Sequence, residues 1–188
     1  MEAPSGSLWR FAISLYSRPE VAEVCLELQD RYGVDVNVVL FAAWMGAECG
    51  VELSEAEVTR VVAAVRPWSE KIVMPLRAVR RQLKSGPSPA PSAATEAART
   101  KLKAVEIEME RIELTVLEEL GQAQKGRAAM ADADLITQNL TRIVAIYGGG
   151  EAASASSDLV TRIAQAASRS RLGRPQARDL KESRSLKR

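Results

Sequence analysis

Between Gly33 and Gly50 the chain reads VDVNVVLFAAWMGAEC, and its central run, Val36 to Met45, is apolar on nearly every side of a helix. A helix with one polar face can lie on a surface, but a helix without one has to be surrounded. At about a dozen residues it is also too short to cross a bilayer. The run therefore predicts a buried central helix, and the rest of the chain must supply the helices that wrap it. Asp35 stands at its N-cap position, where the carboxylate accepts the free backbone N–H of Asn37 or Val38. Gly50 closes it.

Helical spacing supplies the shell. Leu8, Phe11, Ala12 and Leu15 form one apolar row and Trp9, Ile13 and Tyr16 a second, so the first helix is expected to be buried around most of its circumference. Pro19 opens a second helix with Val21, Cys25, Leu28 and Tyr32 inward, and Gly33 stops it. Ser54 and Glu57 form a capping box for a fourth, with Val58, Val61, Val62 and Val65 facing in and Pro67 beyond its end. Trp68, Ile72, Leu76, Val79 and Leu83 mark a fifth, bent at Pro75, with Arg77, Arg80, Arg81 and Lys84 on its solvated face.

Ser85 to Thr95, SGPSPAPSAAT, reads as an extended linker, because its prolines interrupt any helix. After it, Leu102, Val105, Met109, Ile112, Val116 and Leu120 describe the inner row of a long amphipathic helix. A further helix spans Asp134 to Tyr147, with Ile136, Leu140, Ile143 and Tyr147 on one side, and ends at Gly148-Gly149-Gly150. The remainder is Ala/Ser-rich, then basic, and predicts a weak helix near Asp158 to Ala167 followed by disorder. The expected layout is a core over residues 1–84, a linker over 85–95, a helical pair over 96–148 and a low-complexity tail over 149–188. The fold class is all-α, a bundle of six to seven helices with a flexible basic C-terminal tail.

Composition excludes several chemistries. There is no histidine, which removes His-based triads and His-based zinc sites. Cys25 and Cys49 are too far apart in sequence for a redox pair of the C-x-x-C type and read as reduced, packed thiols. No nucleophile, phosphate-loop or metal-loop motif appears, and neither metal nor cofactor is expected. Residues 169–188 carry a net charge of +6 and leave the body mildly acidic. Neither a leader sequence nor a membrane span is evident, and a cytoplasmic setting is the expectation.

The residues Leu8-Trp9, Phe11-Ala12, Tyr16, Pro19, Cys25-Leu26, Leu28-Gln29-Asp30, Gly33, Asp35-Val36-Asn37, Leu40-Phe41 and Trp44, followed by Trp68, Val73, Pro75-Leu76-Arg77 and Arg80-Arg81, form a pattern. It resembles that of a small bacterial family of conserved proteins of unknown function, found mainly in proteobacteria. The resemblance covers the first 85 or so residues well and the long helix loosely. It implies a fold and no activity.

Two sets of residues are candidates for function. Gln29, Asp30, Asp35 and Asn37 gather at the corner before the central helix, where they either brace the corner or open a polar pocket walled by Trp9, Tyr16 and Trp44. Arg77, Arg80 and Arg81 form a basic strip able to contact an anion. With no catalytic constellation, the sequence points to a binding, adaptor or regulatory factor acting on a protein partner. The alternatives are a small-molecule binder or enzyme using the Asp30/Asp35/Asn37 corner, and a nucleic-acid-associated protein acting through the basic tail.

Overall fold

A computed structural model describes residues 7–122 and 133–172. The expected all-α bundle is what it shows, and no strand occurs among the described residues. The helices are α1 (Ser7–Tyr16), α2 (Pro19–Tyr32), α3 (Val36–Trp44), α4 (Glu55–Trp68), α5 (Met74–Ser85), α6 (Ala93–Gln122), α7 (Ala133–Ala155) and α8 (Ser157–Leu172).

The central helix is where its composition requires it. Every residue of α3 from Asn37 to Trp44 is buried, and α1, α2, α6, α7 and α8 all pack on it. Asp35 caps it, accepting a 2.9 Å hydrogen bond from the Asn37 N–H. Upstream, α2 ends at Gly33, whose φ of +67° is a left-handed conformation that costs glycine little and other residues about 1–2 kcal/mol. Downstream the helix does not stop at Met45 but widens into a π turn, Met45–Cys49, before Gly50. Gly121 of α6 crosses this region so closely that a Cβ there would lie 2.9 Å from Met45, Phe41 and Trp44. The missing side chain is what lets the two helices approach.

The loop after Gly50 is tied down by Asn139 of α7, fully buried, which accepts from the Leu53 N–H and donates to the Val51 carbonyl. The capping box of Ser54 and Glu57 forms as predicted, and Val58, Val61, Val62 and Val65 face inward. Pro67, however, lies inside α4 rather than beyond its end. A second π turn, Ser69–Val73, follows, and α4, the turn and α5 run on as one bent rod. The turn shifts the hydrogen-bond register so that Pro75 falls in the first turn of α5, where a missing N–H is tolerated.

Four further expectations change. On α1, Ile13 is 51% exposed and Tyr16 lies at the surface, so only the Leu8, Phe11, Ala12, Leu15 row is buried. The proline-rich segment is shorter than 85–95, since α6 begins at Ala93, and it returns the chain so that α6 packs beside α5. The stretch after the glycines is no low-complexity tail up to its end. A kink at Gly149 redirects α7, and α8 buries Leu159, Val160, Ile163, Ala164, Ala166 and Ala167 in the common core. Arg18 clamps α8 by donating to the Ala166 carbonyl at 2.7 Å. The basic residues beyond 172 lie outside the described residues.

The largest change concerns α6. Its predicted inner row is turned outward, with Val105 41%, Ile112 45% and Val116 39% exposed. The buried face is instead Glu106, Glu113, Leu114, Leu117 and Gly121. Burying carboxylates is tolerable only with partners at hand, and those come from α3 and α5.

Candidate functional site

The carboxylates of α6 meet the basic strip of α5. The side chains of Arg77 and Arg80, expected on a solvated face, point at α6. Arg77 donates to Glu106 at 2.9 Å and to Glu110 at 2.5 Å, and its remaining donor takes the Gln29 side-chain oxygen. Arg80 donates to both oxygens of Glu106, at 2.5 and 3.2 Å. The anion these arginines contact is thus supplied by the protein itself. Arg81 remains at the surface, 4.0 Å from Asp30, with both side chains more than half exposed.

One turn further along α6, Glu113 is 1% exposed and has a different solution. Asn37 donates to its Oε2 at 3.2 Å, and its Oε1 has no hydrogen-bond partner among the described residues. Burial and then the nearby Asp35 carboxylate push its pKa up to about 9, so it is a neutral acid at pH 7. Burial also raises Glu110, by more than Arg77 lowers it. Burial pushes Glu106 the same way, but the hydrogen bonds from Arg80 and Arg77 outweigh it and hold Glu106 below the ordinary range.

Asp35 links these layers. Its Oδ1 caps α3, and its Oδ2 accepts a 2.5 Å hydrogen bond from the Ser69 hydroxyl in the second π turn. Tyr147 of α7 lies under Arg66, whose guanidinium is 5.6 Å from the ring centroid, and burial raises its hydroxyl pKa well above the usual range.

Two open depressions flank this layer. A cleft of about 620 Å³ is lined by Gln29, Asp30, Asp35, Asn37, Ser69 and Arg77, with Tyr147 at its far side. A groove of about 470 Å³ lies between α1, α2, α5 and α6, walled by Trp9, Ile13, Tyr16, Leu26 and Ile107 and rimmed by Arg80, Arg81 and Lys103. Gln29, Asn37 and Arg77 touch both. The structure therefore brings Gln29, Asp30, Asp35 and Asn37 to one cleft, as their sequence proximity suggested, and places Trp9 and Tyr16 in the neighbouring groove. Trp44 is in neither. It is 2% exposed, with its ring centroid 6.3 Å from that of Phe41.

Sequence reasoning missed Ser69, Tyr147 and above all Glu106, Glu110 and Glu113. A signal was present, since those glutamates recur at i, i+4, i+7 on one face while Arg77 and Arg80 share a face of α5. Such a pattern normally marks solvent, and nothing local distinguishes the exception. Cys25 is buried and Cys49 half-buried, both as free thiols, with burial pushing Cys25 up to about 12. Among the described residues no cluster of His, Cys, Asp and Glu is disposed to hold a metal ion, and no helix is long and apolar enough to cross a membrane.

No curated protein and no solved structure matches the chain. A family model described as "Protein of unknown function (DUF2390)" matches residues 7–117, from α1 through most of α6. That span contains every residue lining the groove and the whole arginine–glutamate layer beneath it. The chain belongs to this family of unknown function.

Proposed function

We propose that the protein is a non-enzymatic binding factor of the bacterial cytoplasm whose groove between α1, α2, α5 and α6 receives a short segment of another protein. The observation that carries this reading is the groove's wall. Ile13, Tyr16, Leu26 and Ile107, one or more from each of three helices, stand exposed around one depression. Apolar side chains gathered around a concave surface mark a binding site more often than the same residues scattered singly.

The rim specifies the partner's charge. Glu106 and Glu110 are occupied by Arg77 and Arg80, which leaves Arg81 and Lys103 as the exposed charges at the groove's edge. The matching segment carries apolar anchors flanked by Asp or Glu. The polar corner supports this assignment by its saturation: both oxygens of Asp35 accept hydrogen bonds from the protein, which suits a brace behind the groove better than a reacting group.

The test is an array of short synthetic peptides combining Leu, Ile or Phe with Asp or Glu, probed with the wild-type protein and with Ile13→Glu. Acidic apolar peptides are expected to bind the wild type, and Ile13→Glu and Lys103→Glu to weaken them about tenfold or more. Binding that ignores both substitutions, or an array on which only basic peptides bind, contradicts the assignment.

A further inference from the structure

We infer that the outward face of α6 is a self-association surface, on which a second copy of the chain packs its own α6 in antiparallel orientation. The face is distinct from the groove and does not depend on it. Val105, Ile112 and Val116 are exposed along a helix of 30 residues, and Leu102, Met109 and Leu120 flank them half-buried. Together these six residues, spaced at alternating threes and fours over most of their length, have the repeat of a helix–helix seam. Because the bundle uses the carboxylate face of α6 for its own packing, this seam has no partner within the described residues.

Adjacent α5 widens the surface. Val79, 47% exposed, adjoins Arg80 in sequence, and Arg80 holds Glu106, the neighbour of Val105. Val79 and Val105 therefore extend a single apolar strip across two helices.

Charge selects the occupant and its direction. The exposed strip begins at Lys101 and ends at Glu119, about 27 Å further along the helix. Two copies side by side in parallel would set lysine beside lysine and glutamate beside glutamate. Antiparallel packing sets Lys101 opposite Glu119 of the second copy, and in that same register Val105 falls opposite Val116, and Ala104 beside it. Apolar matches and opposite charges thus coincide at a single offset, which is the self-complementarity a two-fold interface requires. One helix face with a contribution from α5 is a small interface, so the dimer is weak and reversible.

Sedimentation velocity of the full chain from about 1 µM to about 500 µM tests this, with a dissociation constant expected in the range of roughly tens of micromolar. Ile112→Glu should be monomeric throughout while keeping the wild-type helical circular dichroism, since the position is exposed. Lys101→Glu should weaken association about tenfold, and adding Glu119→Lys should restore it. A wild type that stays monomeric at the highest concentration overturns the inference. So does an Ile112→Glu protein that dimerises as well as the wild type, or a double charge reversal that restores nothing. Because Ile112 and Lys101 lie outside the groove, none of these outcomes bears on peptide binding there.

Discussion

From Asn37 to Trp44 every residue of α3 is buried and only Asn37 is polar, whereas α6, packed against it, buries Glu106 and Glu113 and leaves Val105, Ile112 and Val116 at the surface. Both helices contribute to one core. The first is held by the transfer of apolar surface out of water, which needs no particular partner. The second is held by placed hydrogen bonds and ion pairs, which need Arg77, Arg80 and Asn37 at fixed positions. Apolar burial is a property a segment carries with it. Carboxylate burial belongs to the assembled fold.

The comparison can be broken most directly at the centre of α3. Phe41→Ala removes a fully buried ring beside Trp44 and should destabilise the protein by about 3–5 kcal/mol, measured by urea unfolding. A loss below about 1 kcal/mol would mean that α3 is not the centre of the core.

The matching lesion on the polar side is Arg77→Met. It strips donors from Glu106, Glu110 and Gln29 but leaves partly solvated groups, so the expected loss is about 2–3 kcal/mol rather than that of a dry ion pair. Adding Glu110→Gln should recover part of it, and the two changes should be strongly non-additive in the same unfolding measurement. Full additivity would show that the layer is not one network.

Alkaline titration separates the two ways of burying a carboxylate. Glu113 keeps its proton up to about 9 in the folded protein, while the unfolded chain releases it near the ordinary value of 4.5. Rising pH between those values therefore favours unfolding, by as much as about 1.4 kcal/mol per pH unit from this group. Glu106 has the opposite sign. Held below its ordinary range by Arg80 and Arg77, it contributes stability above that range and loses it on acidification. Glu113→Gln should flatten the alkaline decline and leave the acid limb intact, as read from melting temperature against pH.

The smallest effect is expected on the outer face of α6. At low protein concentration, Ile112→Ser and Val116→Ser should each change stability by less than about 0.5 kcal/mol, because both side chains are already exposed. A loss above about 2 kcal/mol would return the apolar row to the interior.

The same contrast explains what the sequence made legible. The central helix, its Asp35 cap, the Gly33 stop and the Ser54–Glu57 box depend on residues a few positions apart, and all of them form as local chemistry requires. The π turns escaped notice because α4 and α5 read as two helices parted at Pro67, while the chain relieves Pro67 and Pro75 by changing register instead. α8 looked weak because its buried positions include several alanines, whose value lies in close packing and not in their own hydrophobicity. In α6, periodicity identified a genuine apolar row and assigned it to the wrong side. The residues that decide the matter, Arg77, Arg80 and Asn37, are tens of positions away in sequence. The corner itself was half visible: Asp35 and Asn37 were legible as a cap, but their ties to Ser69 and Glu113 are not local.

The central claim is that α6 turns its acidic face inward and keeps one of those acids protonated. Carbon-13 NMR of the glutamate carboxyl groups, titrated from mildly acidic to alkaline pH in the folded protein, tests it most directly. The account predicts a single carboxyl resonance titrating at about 9 that vanishes in Glu113→Gln. If every glutamate of the folded protein titrates in the ordinary carboxylate range, Glu113 is solvated and the inward acidic face is wrong.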